Sequence, residues 1–250
     1  MIGDWTALPV GILFATLATM VGIAGGVLWT PYLIFLVKLE PAQAIGTSLL
    51  IQVAGMGSGA VTAVMQGKVT PRFTAMLTAA ALPGVGVGAW LSTLVPSDSL
   101  VFLLGAILLA TALVFVYARE NVSVSTDTVD LFRTVRYLPL ATLFSVFTGL
   151  LSVGVGDFMV PVLRNRLHMR MDAAIGSCLV VMAMNAVFGS ILHGIKGEPV
   201  VWKIIVWAVP GVLIGGQIGP RLAGYIPDQT LKEIFIYGLS LVGIHVMFNA

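Results

Sequence analysis

The sequence is poor in charge and nearly without cysteine. Asp, Glu, Lys and Arg make up 10% of its 250 residues, whereas hydrophobic residues make up 58%, and the mean hydropathy is +1.02. Soluble domains carry about 25% charged residues, so the composition predicts an integral membrane protein. The net charge of +2 is too small to indicate nucleic-acid binding. The single cysteine, Cys178, excludes an internal disulfide and argues against a cysteine-rich metal centre.

Motifs for common enzymes and pumps are also missing. The sequence has no GxxxxGK[ST] phosphate-binding loop, so we do not expect this chain alone to be an ATP-driven pump. It has no His-Glu-x-x-His zinc pattern and no nucleophile elbow. Residues 1–4 lack the basic region of a signal peptide, so we expect the first apolar segment to be retained. We predict a membrane protein that is not an enzyme and needs no cofactor.

A short glycine break occurs twice in the sequence. The first copy, at 22–26, reads Gly-Ile-Ala-Gly-Gly, and the second, at 152–156, reads Ser-Val-Gly-Val-Gly. Pro161 follows Pro31 at the same spacing of 130 residues. Paired interruptions at matching places in two halves are the best sequence indication of a transporter's binding site.

Charge-free windows mark the predicted membrane spans. Six windows fit one helix each: 41–67, 73–97, 99–118, 173–195, 204–220 and 234–250. The other two, 5–37 and 137–156, contain the breaks. A straight helix over 5–37 would be about 50 Å long, against a hydrocarbon core of about 30 Å. We therefore interpret each broken window as a helical hairpin.

The first hairpin is predicted to consist of arms at 6–21 and 31–38. Thr30 is expected to cap the second arm, and Pro31 suits its first turn because proline there loses an N–H that would be unpaired anyway.

The second hairpin is predicted to consist of an arm at 138–149, a loop that holds Asp157, and an arm from Pro161. The predicted fold class is thus an all-α integral membrane protein with two inverted repeats. Each repeat has a glycine-broken hairpin, either re-entrant or discontinuous, followed by three transmembrane helices. The spanning depth of the hairpins stays open at this point.

The charge distribution favours inverted halves. With three crossings per half, ten of the thirteen Lys and Arg lie on one side of the membrane, whereas one crossing per broken window gives seven against six. The positive-inside rule then places both termini outside. The predicted domains are a first membrane repeat at 1–118, a cytoplasmic linker at 119–136 and a second membrane repeat at 137–250.

The glycine breaks predict an anion site at mid-depth. Irregular backbone inside a membrane has to be satisfied by protein or by a cavity, and a helix that starts there directs free N–H groups and a positive dipole end into it. The candidate substrate-binding backbone lies at Gly25, Gly26, Gly154 and Gly156. The alternative is that these small residues only allow close helix packing.

Hydroxyl and thiol groups at matching positions are the side-chain candidates. They are Thr47, Ser48, Ser177 and Cys178. Such groups can donate to an oxyanion, and the alternative for them is a hydrogen bond to the preceding helical turn. For Cys178 the alternative is the role of a small buried residue.

Two titratable residues are candidates for ion coupling. Asp157 is an intramembrane carboxylate, which by default indicates a proton or cation site. His193, near the end of the sixth window, is a candidate proton carrier. The alternatives are a helix cap for Asp157 and interfacial packing for His193.

The same order of motifs occurs in both halves: a Gly-rich break, Pro-x-Leu and Ala-x-Gly-Thr-Ser. In this chain they read Gly22-Ile-Ala-Gly-Gly26, Pro31-Tyr-Leu33 and Ala44-Ile-Gly-Thr-Ser48, then Gly154-Val-Gly156, Pro161-Val-Leu163 and Ala174-Ile-Gly-Ser-Cys178. Over nearly its whole length the chain resembles the TauE/SafE family of sulfite exporters, also called the toluene-sulfonate uptake permease family. It departs from that pattern at Ala24, Asp157 and Cys178.

The resemblance implies a secondary transporter, commonly an exporter, in a bacterial inner membrane. Its expected substrate is a small sulfur-containing anion such as sulfite, thiosulfate or an organosulfonate, and its expected surroundings are the lipid bilayer. Proton coupling is a further expectation. Two alternatives remain at this point: a cation channel or carrier that uses Asp157, and a membrane assembly scaffold.

Overall fold

A computed structural model describes residues 4–117, 135–154, 156–222, 225 and 228–248. Every regular element in this part of the chain is helical, which confirms the all-α class. A 3-10 turn at Asp4–Thr6 comes first. The helices that follow are α1 (Ala7–Val21), α2 (Gly26–Pro31, continued by a π-helical turn at Tyr32–Leu36), α3 (Pro41–Met65), α4 (Pro71–Leu91), α5 (Ser97–Tyr117), α6 (Leu138–Leu151), α7 (Gly156–Leu167), α8 (Met171–Ile195), α9 (Trp202–Leu222) and α10 (Asp228–Phe248).

Helix length and composition agree with the predicted spans. Within the described ranges, six segments are long and apolar enough to cross a membrane: Asp4–Val21, Pro41–Met65, Pro71–Leu91, Ser97–Val114, Met171–Ile195 and Trp202–Leu222. Five of them coincide with predicted single-helix windows, and the sixth is the first arm of the first hairpin. The last window holds α10, whose described apolar part is Ile236–Phe248. Most of the predicted linker at 119–136 lies outside the described residues.

The helices repeat in the same order in both halves, 130 or 131 residues apart. The first helix of each half packs on the fourth helix of the other, so that α1 contacts α9 and α6 contacts α4. The third helices, α3 and α8, pack on each other and run antiparallel. At one end of this pair, a Cβ atom added to Gly176 would lie 3.3 Å from Cβ of Ala63. At the other end, the hydroxyl of Thr47 accepts the backbone N–H of Val201. Two inverted halves would produce such a pairing; the inversion across a membrane stays a prediction.

The start of the second hairpin arm was predicted wrongly in the first half. Helix α2 begins at Gly26 and not at Pro31, so Thr30 is no helix cap and Pro31 lies within the helix. The reason is that Gly22 turns the chain at once, with φ of 78° at the end of α1. Only residues 23–25 are then needed to link the two arms.

The second half shows the same difference. Ser152 ends α6 with φ of 64°, and α7 begins at Gly156, five residues before Pro161. Asp157 therefore lies in the first turn of α7 and not in the loop. The breaks lie level with the middle of the long helices α3 and α8. Gln52, near the middle of α3, bonds Ser152, and Met182, near the middle of α8, packs against Gly156.

Candidate functional site

The two glycine breaks pack directly on each other. A Cβ atom on Gly26 would collide with the carbonyl group of Ser152, and a Cβ atom on Gly156 would lie 2.6 Å from the carbonyl oxygen of Gly22. These contacts are reciprocal, because Gly26 and Gly156 are repeat counterparts and so are Gly22 and Ser152. Only glycine allows such a close approach of backbone to backbone.

The centre of this contact is formed by Ala24 and Gly154. These two residues occupy the same position in the two halves, and the methyl group of Ala24 meets the Cβ position of Gly154. A contact between equivalent residues is what an approximate two-fold relation of the halves would produce, and that relation stays a prediction.

A buried cluster of four polar side chains lies beside the breaks. It consists of Thr30, Ser48, Gln52 and Ser152, and we call it the polar cluster. Gln52 Nε2 donates to the carbonyl oxygen of Ser152 at 3.0 Å and to its hydroxyl. Ser48 Oγ accepts from Ser152 at 3.0 Å and from Thr30 at 3.2 Å. All four side chains are at most 3% exposed, so the cluster is closed to solvent in this conformation.

The polar cluster has no polar counterpart in the second half. The equivalents of Thr30, Ser48, Gln52 and Ser152 are Val160, Cys178, Met182 and Gly22. Cys178 is fully buried with a free thiol, and Met182 packs against Gly156. The four side chains of the polar cluster thus come from α2, α3 and the second break.

Asp157 supplies the one carboxyl group found at this centre in the described chain. Its Oδ1 accepts the backbone N–H of Ala24 at 2.8 Å, so the carboxyl group of one break bonds the backbone of the other. Its Oδ2 is buried without a hydrogen-bond partner among the described residues. The equivalent residue in the first half is Val27. One carboxyl oxygen is therefore available to a proton, a cation or a ligand.

The hydroxyl groups of Thr47 and Ser177 bond backbone N–H groups at helix starts, away from the polar cluster. The hydroxyl of Thr47 accepts the N–H of Val201 at 3.2 Å, and that of Ser177 accepts the N–H of Thr70 at 3.4 Å. Val201 and Thr70 immediately precede α9 and α4, where backbone donors are otherwise unpaired. These two predicted anion donors thus stabilise helix starts in the opposite half.

His193 lies at the end of α8, away from the centre. Its Nε2 bonds the carbonyl oxygen of Gly149 at 2.8 Å, and its Nδ1 bonds Glu198 Oε2 at 2.6 Å. Because a carbonyl oxygen can only accept, Nε2 carries a hydrogen, and the Nδ1–Oε2 contact then holds one proton that the two groups share. The whole residue is 2% exposed.

The structure thus divides the predicted site residues. It brings six of them to the centre: Gly25, Gly26, Ser48, Gly154, Gly156 and Asp157. Cys178 lies beside them as a buried thiol, whereas Thr47, Ser177 and His193 have contacts elsewhere. Sequence reasoning did not assign Thr30, Gln52, Ser152 or Glu198 to a site. The departure from the repeat at Ser152, where the first half has Gly22, was the available signal.

The comparisons with known proteins agree with this architecture. The family model "Sulfite exporter TauE/SafE" matches residues 7–246. In Bacillus subtilis (strain 168), "Probable membrane transporter protein YunE" is 22% identical over 96% of this chain and 95% of its own length, and "Probable membrane transporter protein YdhB" is 24% identical over 91% and 92%. A "Probable membrane transporter protein" of Xylella fastidiosa (strain 9a5c) is 26% identical over 91% and 87%. No solved structure matches the chain significantly. Because the family match spans nearly all of the sequence, this chain belongs to the TauE/SafE family, and it is a multi-pass membrane transporter and not an enzyme.

Proposed function

We propose that this protein is a secondary transporter of a small sulfur-containing anion, such as sulfite, thiosulfate or an organosulfonate. The proposed direction is export from the cytoplasm across a bacterial inner membrane, with both termini outside. The name of the family supports the substrate class. The observation that carries the proposal is the meeting of both glycine breaks beside a buried polar cluster.

The polar cluster has the chemistry to receive an oxyanion. Thr30, Ser48 and Ser152 each carry a hydroxyl hydrogen, and Ser48 Oγ accepts from Thr30, from Ser152 and, at 3.5 Å, from Gln52. The amide of Gln52 has two hydrogens that now serve Ser152, with Ser48 as a more distant acceptor at 3.5 Å. When the breaks separate, these donors become available to an anion, and the N-terminal turns of α2 and α7 add backbone N–H groups.

Asp157 supports coupling of the anion to a proton. A carboxylate repels an oxyanion, whereas a carboxylic acid donates a hydrogen bond to it. We infer that Asp157 holds a proton on Oδ2 while the anion is bound, so that proton and anion move together. Export then requires that the outward gradient of the anion exceeds the inward gradient of the proton. The unpartnered position of Oδ2 leaves room for that proton.

Reciprocal packing of the halves supports alternating access. The contacts of Gly26 with Ser152 and of Gly156 with Gly22 cross the boundary between the hairpins. Rocking of one half against the other would open these contacts toward one side of the membrane and then toward the other.

Tracer flux in proteoliposomes tests the proposal. Sulfite, thiosulfate, sulfate and a short sulfonate are offered separately, with and without a pH gradient. We expect saturable flux of at least one sulfur anion. The second half indicates apolar replacements for the polar cluster, because it has valine and methionine where the first half has Thr30 and Gln52.

We expect Thr30→Val and Gln52→Met each to lower flux at subsaturating anion by about tenfold, the cost of about one hydrogen bond. The matched control is Thr111→Val, since Thr111 is equally buried but bonds only Ile107 of its own helix. Flux that is unchanged in both variants would place the anion elsewhere. No flux of any sulfur anion from folded protein would overturn the proposal.

A second candidate function is cation transport through Asp157. The unpartnered oxygen of this buried carboxyl favours it, although a cation site usually offers several oxygen ligands. Flux that depends on a cation and persists without any sulfur anion would favour this candidate.

A further inference from the structure

The two ends of the α3–α8 pair are built differently. Because α3 and α8 are antiparallel repeat counterparts, equivalent residues lie at opposite ends of the pair. Ala63 and Lys68 at the end of α3 correspond to His193 and Glu198 at the end of α8. A symmetric protein would show the same structure at both ends, so the difference distinguishes two mouths of the centre.

The end that holds His193 is closed by hydrogen bonds. The ring joins Glu198, in the turn after α8, to the carbonyl oxygen of Gly149 in the last turn of α6. Gly149 lies three residues before Ser152 of the second break, so the bond ties this hairpin arm to α8. The side chains of His193 and Glu198 are only 3% and 16% exposed.

The end that holds Lys68 is open by comparison. Ala63 stands here in the place of His193, and its methyl group cannot make the two hydrogen bonds that the ring makes at the other end. A pocket of about 20 Å³ is found here, enough for roughly one water molecule. It is lined by Ala63, Lys68, Asp172, Ile175, Gly176, Leu179 and Pro220.

One side chain lies between this pocket and the first break. Ile175 lines the pocket, and its Cγ1 lies 3.0 Å from the Cβ position of Gly22. Gly22 in turn contacts Gly156 at the centre. A rotation of Ile175 would therefore connect the pocket with the place where the breaks meet.

The charges around the pocket suit an anion. Lys68 is half-buried, and its Nζ lies 3.4 Å from the carbonyl oxygen of Pro220. The carboxylate of Asp172 is bonded by Arg170 at 3.1 Å, so its charge is largely offset. The ammonium group of Lys68 is thus the net charge that an incoming anion meets.

We propose that the Lys68 pocket is the anion entrance, that Ile175 is its gate, and that the His193–Glu198 pair latches the opposite mouth. The inference rests on the proposed transport of an anion. It adds three features to that proposal: the route by which the anion enters, the charge of Lys68 that favours anions, and the His193–Glu198 contact that keeps the opposite mouth closed.

Cysteine accessibility tests the two mouths without measuring transport. The single natural cysteine is removed as Cys178→Ser, the residue type that Ser48 holds in the first half. Single cysteines are then placed by Ile175→Cys and by Ile45→Cys, its counterpart at the other end. Both are labelled in detergent, which opens both faces, with an anionic and a cationic methanethiosulfonate. Ala63→Cys is a milder probe of the same pocket wall.

At position 175 we expect labelling about tenfold faster than at position 45. Lys68→Gln should lower the ratio of anionic to cationic labelling at 175 about tenfold, because a charge at a mouth concentrates ions of opposite sign. Lys196→Gln, which removes a charge at the other end of α8, should leave that ratio unchanged. Glu198→Ala, which removes the partner of Nδ1, should raise labelling at 45 several-fold.

Equal labelling at positions 175 and 45, with Ala63→Cys also slow, would overturn the entrance. A ratio that does not respond to Lys68→Gln would overturn the role of that charge, and unchanged labelling at 45 in Glu198→Ala would overturn the latch. These results are independent of flux, so the route can fail while sulfur-anion transport stands, and transport can fail while the mouths stand.

Discussion

Ser152 and Gly22 hold the same left-handed backbone conformation at the same place in the two halves. Their φ angles are 64° and 78°. Glycine adopts this conformation freely, whereas a side chain makes it unfavourable by roughly 1–2 kcal/mol. Ser152 nevertheless stands there, and its hydroxyl and carbonyl groups bond Ser48 and Gln52. The second break therefore keeps an unfavourable backbone conformation at Ser152, and the groups of this residue form hydrogen bonds with the first half.

This relationship predicts an unusual order of stability at position 152. Ser152→Ala loses the hydroxyl and keeps the unfavourable backbone, whereas Ser152→Gly loses the hydroxyl and relieves the backbone. We expect the alanine variant to be less stable than the glycine variant by about 1 kcal/mol. Thermal unfolding in detergent measures the order. At Ser92, with φ of −58°, the same two substitutions should give the reverse order, and a reversed order at 152 would contradict the prediction.

Gly26→Ala should destabilise the protein strongly. The added methyl group meets the backbone carbonyl of Ser152, which cannot rotate away as a side chain could. Overpacking typically costs 1–3 kcal/mol, and we expect about 3 kcal/mol here. Gly57→Ala in α3 is the matched control, because nothing lies within 4 Å of its Cβ position. That variant should be neutral or up to about 1 kcal/mol more stable. Similar melting temperatures for the two variants would argue against the close contact.

Breaking the His193–Glu198 pair should cost more than breaking a surface pair. His193→Ala leaves the carbonyl of Gly149 and the carboxylate of Glu198 without their buried partner, and we expect a loss of about 2 kcal/mol. Arg170→Ala removes an ion pair whose side chains are 53% and 35% exposed, for which we expect less than about 1 kcal/mol. Unfolding of both variants, compared with the unaltered protein, checks this. Equal losses would mean that burial adds nothing to the pair.

Asp157→Asn should uncouple transport from the pH gradient while the fold is kept. Asparagine can still accept a hydrogen bond from the N–H of Ala24 through its oxygen, but it cannot bind and release a proton as a carboxyl group does. For one proton per anion, a pH difference of one unit supports about tenfold accumulation, and we expect no such accumulation in the variant. Asp98→Asn, an exposed carboxylate in the first turn of α5, is the control. An undiminished response to the gradient in Asp157→Asn would exclude Asp157 as the coupling group.

Much of the architecture was predictable because the repeat and the hydrophobic windows are properties of the chain itself. The spacing of 130 residues and the charge-free windows located the single-helix spans to within a few residues. The starts of α2 and α7 were not predictable in the same way. Pro31 and Pro161 suggested first helical turns, yet the tight turns at Gly22 and Ser152 let both helices begin five residues earlier.

The central contacts depended on tertiary structure. The glycines were assigned to the centre because two paired breaks indicate a shared site, and the structure brings them together there. The partners of Thr47 and Ser177 were hidden, since each hydroxyl bonds a backbone N–H more than 100 residues away in sequence. Glu198 was equally hidden, because a glutamate after a glycine turn carries no signal until the ring of His193 is seen beside it.

The contact between Ala24 and Gly154 also bears on the origin of the protein. A homodimer of one ancestral half would have carried every residue twice around the axis. A carboxylate at the position of Asp157 would then have occurred twice, once against the backbone of each break, and neighbouring carboxylates resist joint ionisation. Fusion of the halves into one chain removes that constraint, so one half could acquire a single acid while the other kept Val27. A chain built of two repeats can thereby hold a carboxyl group in one half only.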